Sequence, residues 1–444
     1  MYIIKPVVGL YGVLEKSEEG WQDASKIVTQ AARMLSGAGL KVVVAHELVY
    51  DEHTALKAAR QFSAAEVDLV IPAIITWSFD NLTVTIQRKV DVPLAILSMP
   101  GIRTGSLVGA QQLGSYLTEL EIPYAFFYGD PAQSNTYQPI SAFARAAAAK
   151  KRLSQGTIGV VGRRTPGMTP IAVDEMEITK TFGPRLITWG WDEIEEVGRS
   201  IKKDEIQARV DQMTRNAGTC SCSKTSLHDS ARLTCALHGL VKRDNLVALS
   251  LGCYPHYAGR VCMACSLLGD EGIPCGCEGD TNSAIAMYLL QAFTGRPVHF
   301  GEMLEINETE NSIITSHCGC CPAGLANKKT QINVTPVRLF DRGASIRFPA
   351  KGGIATYVNL VGRKDTYRMC AVQGEATPVE MVFDGNPVKI TIDSDVKRLL
   401  ETVGARGFGH HWMMGYGHVR RELESFTRLC GINGVFPADS LHRN

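Results

Sequence analysis

The chain has 444 residues, and its 46 Lys and Arg against 45 Asp and Glu leave a net charge near +1. That length exceeds one ordinary hydrophobic core and predicts two or three domains. The balanced charge, with no block of one sign, gives no electrostatic case for nucleic acid. No apolar run reaches the roughly 18 residues of a membrane span, so no membrane association is expected. The N-terminus reads as a first strand, without the basic start, apolar stretch and small-residue cleavage site of a signal peptide. A cytoplasmic location is therefore expected.

Residues 1–155 alternate short apolar runs with amphipathic stretches. Strands are predicted at Lys5–Val13, Leu40–Ala45, Asp68–Ile75, Val92–Ser98 and Pro123–Tyr128. Helices are predicted between them, over about 20–37, 51–64, 79–89, 106–120 and 137–152. This alternation predicts a parallel, Rossmann-like sheet with helices on both faces. The strand runs are nearly all apolar, as doubly covered strands should be. The segment Lys150-Lys-Arg-Leu-Ser-Gln-Gly-Thr157 marks a boundary. A second α/β domain, 156–327, opens on the strand Thr157–Gly162 and continues through a polar amphipathic stretch at about 191–216. The third domain, 328–444, changes character and becomes rich in Val, Ile, Thr and Tyr. Gln331–Leu339, Ala344–Phe348, Ile354–Leu360, Tyr367–Val372 and Val388–Ile392 read as antiparallel strands. A final helix is predicted over about 417–430.

Most of the 13 cysteines lie in tight groups between Cys220 and Cys321. A secreted disulfide framework does not suit so long a chain without a signal. Cys262 and Cys265 have the CxxC spacing of zinc and iron–sulfur ligands, but only a CxC, Cys275 and Cys277, stands nearby. The expectation is buried free thiols in a reducing interior.

The most informative stretch runs from Cys277-Glu278-Gly279-Asp280 to Gly295, and on to Glu302. Asp280 or Thr281 is a good N-cap and Gly295 a good residue to end the helix. The helix and the strand Pro297–Glu302 are each roughly 20 Å long, so an antiparallel pair returns Glu302 to the level of Glu278. Two converging carboxylates bind a divalent cation or move protons. Taken singly, Glu278 is equally a first-turn carboxylate favoured by the helix dipole, and Glu302 a solvated strand end.

Gly407-Phe-Gly-His410-His411-Trp412 places two adjacent histidines among glycines, just before the last helix. Neighbouring side chains diverge, so one of them at most is a ligand; the alternative is a polar loop. His317, in Ser316-His317-Cys318, is a further ligand or substrate candidate, with a hydrogen-bonded loop histidine as its alternative. Arg163 and Arg164 follow the first strand of the second domain, and Arg103 follows the fourth strand of the first. The carboxyl end of a parallel strand is where open α/β sheets bind ligands, and Arg there can hold an anion or hydroxyls. Trp77, after the third strand, is a sugar platform or a core residue. Neither a P-loop nor a GxGxxG fingerprint is present.

These residues resemble the L-fucose isomerase / L-arabinose isomerase superfamily, over much of the chain. Glu278-Gly-Asp-x-Asn-x-Ala-x-x-Met287 is similar to the stretch that carries the first metal carboxylate in fucose isomerases. Glu302 falls where that family has its second, there an Asp and in arabinose isomerases a Glu. Gly409-His410-His411-Trp412 with Gly417-His418-Val419 resembles the ligand-histidine segment, and alignment on Gly417-His418-Val419 puts the ligand at His411. His410 stands where the family has Asn. Gly162-Arg163-x-x-x-Gly167-Met168 resembles the turn that opens the second domain. His317 occupies a place comparable to an additional metal histidine of arabinose isomerases. The chain is shorter than either enzyme, which marks it as a divergent member.

The resemblance implies two α/β domains followed by a β-barrel-like, mainly antiparallel C-terminal domain. It also implies a homo-oligomer, trimer or hexamer, with the active site at a subunit interface. The expected cofactor is Mn2+ or another divalent metal, held by Glu278, Glu302 and His411, with Glu278 and Glu302 sharing the proton transfers. His317, Arg163, Trp77, Arg103, Trp412 and His410 are the expected substrate contacts, Trp77 and Arg103 across the interface. The expected activity is aldose–ketose isomerisation of a monosaccharide through a cis-enediol(ate). The substrate is a neutral pentose or hexose, or an acidic sugar such as sulfoquinovose. A metal-dependent sugar epimerase and a non-catalytic sugar-binding protein are the competing readings.

Overall fold

A computed structural model describes residues 3–437. The chain forms two compact units, one of Ile4–Arg152 with Arg421–Leu429, the other built on Leu153–Arg420. The first unit runs β1 (Val7–Val13), α1 (Ala24–Gly37), β2 (Lys41–Val44), α2 (Glu52–Ala64), β3 (Leu69–Ile74), α3 (Asp80–Val90), β4 (Leu94–Ser98), α4 (Ser106–Glu119), β5 (Tyr124–Tyr128) and α5 (Tyr137–Ser154). Its strands lie in the order β2-β1-β3-β4-β5, all parallel. Every residue of β3 and β4 is buried, which explains why their sequences show no alternation. The last helix, Arg420–Cys430, returns to this unit, where buried Glu422 pairs with Arg145 of α5.

The second unit opens as another α/β layer: β6 (Thr157–Val161), α6 (Glu175–Phe182), β7 (Arg185–Trp189), α7 (Trp191–Arg199), α8 (Lys203–Thr214), β8 (Ala217–Cys220), α9 (Lys224–Arg243), β9 (Leu246–Leu251), α10 (Cys262–Asp270), β10 (Cys275–Cys277) and α11 (Thr281–Thr294). Strands β10-β9-β6-β7 form a parallel sheet. The amphipathic stretch at 191–216 forms two helices, α7 and α8. They part at Ser200, whose hydroxyl donates to the Val197 carbonyl at 2.7 Å and competes with the helix ladder.

Then follow β11 (His299–Asn307), β12 (Ser312–Ser316), β13 (Ile332–Val337), β14 (Arg342–Arg347), β15 (Gly353–Val361), β16 (Arg368–Thr377), β17 (Val388–Ile392), α12 (Val396–Arg406), β18 (His411–Gly415), α13 (Arg420–Cys430) and β19 (Asn433–Val435). Six of these strands, in the order β15-β18-β11-β12-β17-β16, close into an antiparallel barrel through the β15–β16 pairing. Closure removes the sheet edges. Strands β13 and β14 join β8 in a separate small sheet. The barrel draws in β11 and β12, which precede the change of composition at residue 329, because their partners are β17 and β18. Its core contains Trp412, Tyr357, Met414, Val372, Ile390 and Phe348.

One ion network ties α7, α9 and the turn before α10. Arg260 bonds Asp229 at 2.6 Å and Glu195 at 2.7 Å, and Arg232 bonds Glu195 at 2.6 Å and Asp229 at 2.7 Å. Burial alone would raise the Asp229 carboxyl, but the two guanidiniums outweigh it and hold it below the usual carboxylate range. A depressed folded-state value gives stability that is present above the unfolded value and lost as pH falls through the folded one. Asp229→Asn should therefore cost about 1–3 kcal/mol at neutral pH, shrinking in acid. Denaturant unfolding of both proteins at neutral and acid pH checks this; a deficit that does not shrink in acid contradicts it.

Candidate active site

The site is built where β10 meets α11. Strand β10 ends at Cys277, and Glu278 and Gly279 follow with φ of 62° and 81°. Two successive left-handed residues turn the chain sharply into Asp280, which caps α11 by accepting from Ser283 N at 3.0 Å. Gly279 cannot carry a side chain: a Cβ there would lie 2.6 Å from Arg164 Cα. Glu278 has no such freedom, and its conformation costs on the order of 1 kcal/mol or more. It is held by its own carbonyl, which accepts from Thr165 N at 3.0 Å. The Arg163–Thr165 turn after β6 thus clamps the Glu278 turn, both at carboxyl ends of parallel strands.

The barrel supplies the other half. Strands β11 and β18 are antiparallel with Glu302 opposite His411, so both side chains leave on one face. Glu302 also pairs with Ser316 of β12, which delivers His317 as the next residue. His411 Nδ1 lies 2.8 Å from Asp280 Oδ2, and its Nε2 lies 3.2 Å from Glu278 Oε2. Donor atoms of Glu302, His317 and His411 lie within 4.8 Å of one another, as do those of Glu278, His410 and His411.

Electrostatics sort these groups. Burial alone would lower the His411 imidazole, but the Asp280 and Glu278 carboxylates outweigh it and raise it to about 9. Burial pulls Glu278 up, yet the histidines around it hold it below the usual carboxylate range. Glu302 goes the other way: burial raises it, helped by the Glu278 charge and opposed by His411 and Arg338. Burial drives His317 down to about 4, against the pull of Glu278.

The remaining candidates fall in different places. His410 sits beside His411, with ring centroids 4.1 Å apart. Arg163 is exposed and Arg164 half-buried in the clamping turn. Trp412 is only 1% exposed, stacked on Tyr357 at 4.9 Å inside the barrel, with its Nε1 donating to Gly409 O at 3.0 Å. That position makes it a packing residue behind His411, a correction to its expected contact with substrate. Trp77 and Arg103 belong to the other unit. Trp77 is half-buried and donates to Gln112 Oε1 at 2.9 Å, while Arg103 is exposed, with Glu19 3.8 Å away.

Three residues were missed by the sequence reading in this role. Asp280 is a cap, but it is also the carboxylate that orients His411. Asn282 and Asn359, both buried, donate their amide nitrogens to Gly362 O and His411 O, at 3.1 and 2.6 Å. Each leaves its Oδ1 without a hydrogen-bond partner. With Asp280, Ile171, His410 and His411 they line a small cleft. The available signal was the run of polar residues Glu278, Asp280 and Asn282 immediately before an apolar helix.

The chemistry of the donor set fits a divalent cation. Glu278, Glu302 and one nitrogen of His411 offer two carboxylates and an imidazole, a set that suits Mn, Fe or Zn. A metal-binding histidine usually gives its other N–H to a carboxylate, and Asp280 stands at that place.

Residues 8–155 match the family described as L-fucose isomerase, first N-terminal domain. The sulfoquinovose isomerase of Alkalicoccus urumqiensis is 24% identical over 390 residues, covering 85% of this chain and 88% of that one. That of Clostridium sp. (strain MSTE9) is 29% identical over 344 residues, covering 74% and 76%. That of Priestia megaterium (strain ATCC 12872 / QMB1551) is 23% identical over 380 residues, covering 83% and 85%. Fold and likenesses together place the protein among the isomerases. The chain is similar to the L-fucose isomerase family in residues 8–155 and to sulfoquinovose isomerases over most of its length. Among the described residues, no helix is long and apolar enough to cross a membrane.

Proposed function

We propose that the protein is a metal-dependent aldose–ketose isomerase acting on an acidic hexose of the sulfoquinovose type, through a cis-enediol(ate). The observation that carries this reading is the meeting of Glu278 and Glu302 at His411, with Asp280 behind the imidazole. Glu278, Glu302 and His411 hold the metal, with Mn2+ as the first candidate. A divalent cation there supplies Lewis-acid polarisation of the sugar carbonyl and offsets the negative charge that develops beside it.

The chain's own residues supply the rest. Glu278 and Glu302 share the two proton transfers that aldose–ketose exchange needs, one at carbon and one at oxygen. Asp280 keeps the His411 ring in one orientation. His317 and His410, within reach of the same atoms, bond sugar hydroxyls. Arg163 and Arg164 lie beside the Glu278 turn and favour an anionic sugar, in keeping with the name the relatives carry. The protein works as a homo-oligomer, trimer or hexamer, in which a neighbour's Trp77 and Arg103 help to cover the sugar. Buried thiols such as those of Cys253, Cys277 and Cys320 support a reducing, cytoplasmic setting.

The test is product formation followed by NMR. With Mn2+ present, sulfoquinovose should yield ketose signals, and glucose, fucose and arabinose should yield far less. A preference for a neutral sugar overturns the substrate assignment. An epimer in place of a ketose overturns the reaction, and sugar binding without turnover overturns the enzyme.

A further inference from the structure

A second donor set lies next to the carboxylates and is made of sulfur. Cys277 immediately precedes Glu278, and Cys320 follows His317 in the turn after β12. Cys320 Sγ is 3.4 Å from His317 Nδ1. Donor atoms of Cys277, His317 and Cys320 all lie within 4.8 Å of one another. Cys253, in the turn after β9, places its Sγ 3.6 Å from that of Cys277. The four residues are 1–4% exposed, and none of the thiols is in a disulfide.

The distances have a chemical meaning. Tetrahedral zinc, with Zn–S of about 2.3 Å and Zn–N of about 2.0 Å, separates neighbouring sulfurs by about 3.8 Å and sulfur from nitrogen by about 3.5 Å. The separations of 3.6 Å between Cys253 and Cys277 and 3.4 Å between Cys320 and His317 are close to those tetrahedral edges. The donors also come on fixed backbone. Gly319 adopts φ of 95° and donates to His317 O at 2.8 Å, and Cys321 N donates to buried Asn386 Oδ1 at 3.2 Å. Asn386 N in turn donates to Ser316 Oγ at 2.9 Å. Thiolates and imidazole select soft or borderline cations, whereas two carboxylates select harder ones.

We infer that Cys277, Cys320 and His317 form a buried zinc-class site separate from the carboxylate centre. An ion there joins the end of β10 to the end of barrel strand β12. It anchors the turn that carries Glu278. His317 belongs to this site through Nδ1, which leaves Glu278, Glu302 and His411 as the harder centre's own donors. The ligands come from two separate segments, which is why their spacing in the sequence gave no sign of them.

The test uses the full chain, stripped of metal under reducing conditions and titrated with Co2+ as a spectroscopic stand-in. Wild type should develop thiolate-to-cobalt charge transfer in the near ultraviolet together with intense tetrahedral d–d bands. Cys277→Ser and Cys320→Ser should lose them, and Glu302→Gln should keep them. A wild-type protein saturated with Co2+ but lacking charge transfer overturns the inference, as do bands that survive the Cys277→Ser/Cys320→Ser double variant. If the serine variants fail to fold, wild-type protein suffices. Added Zn2+ should slow alkylation of Cys277 and Cys320 at least tenfold, mapped by mass spectrometry, and unchanged alkylation overturns the site. Neither readout depends on turnover, so each is independent of the proposed reaction.

Discussion

Glu278→Gln and Glu302→Gln should each lower kcat by about 10³-fold or more while leaving the fold intact. The amide keeps the shape of the carboxylate but removes a charge from the cation site and a base from the proton transfers. General acid–base catalysis alone contributes about 10²–10⁴-fold, and the metal contribution falls with it. The two variants differ in their effect on stability. Glu302 is pushed up by burial, so neutralising it removes a charge that the site already disfavours. Glu278 is held down by the histidines around it, and its amide loses an ion pair with His411 at 3.2 Å. Glu278→Gln should therefore also lower stability measurably, and Glu302→Gln should not. Steady-state kinetics with thermal unfolding checks both; wild-type turnover in either variant contradicts the assignment.

Asp280→Asn separates the two duties of one residue. Asn caps helices as well as Asp does, so α11 keeps its N-terminus, and the stability lost is that of the ion pair with His411 at 2.8 Å. The His411 Nδ1 partner, however, becomes an amide in place of a carboxylate. Loss of such a partner typically costs about 10–100-fold in metal affinity or activity. Asp280→Ala should show the same functional loss plus a capping loss of about 1 kcal/mol. Metal titration by calorimetry alongside thermal melts distinguishes them. Equal affinity in wild type and Asp280→Asn contradicts the orienting role.

The α/β layers were legible because their signals are local. Each apolar run of the first unit lies in a strand within one or two residues of the predicted bounds, and the helices sit between them. The barrel was legible only as a series of strands. Its closure depends on β11 and β12 pairing with β18 and β17, far along the chain, and no local pattern announces that. Strand β18 was hidden for a related reason. His411–Gly415 is buried throughout, yet it is short and set among glycines, so it reads as loop. The convergence of Glu278 and Glu302 could be drawn from helix and strand lengths. Asp280 could not, since a cap residue before a helix already has an explanation. Trp412 looked like a sugar contact because it adjoins His411, but neighbours on a strand face opposite ways, and it points into the barrel core.

The measurement that tests the account most directly is solvent deuterium exchange. The protein is incubated in D2O with Mn2+ and sulfoquinovose, and the sugar is followed by NMR, with and without a chelator. Deuterium appearing at C2 together with ketose signals, both abolished by the chelator and both absent in Glu302→Gln, is the predicted result. Exchange that persists after the metal is removed, or ketose formed without any solvent deuterium by the Glu302→Gln variant as fast as by wild type, would contradict a carboxylate and metal centre working at Glu278, Glu302 and His411.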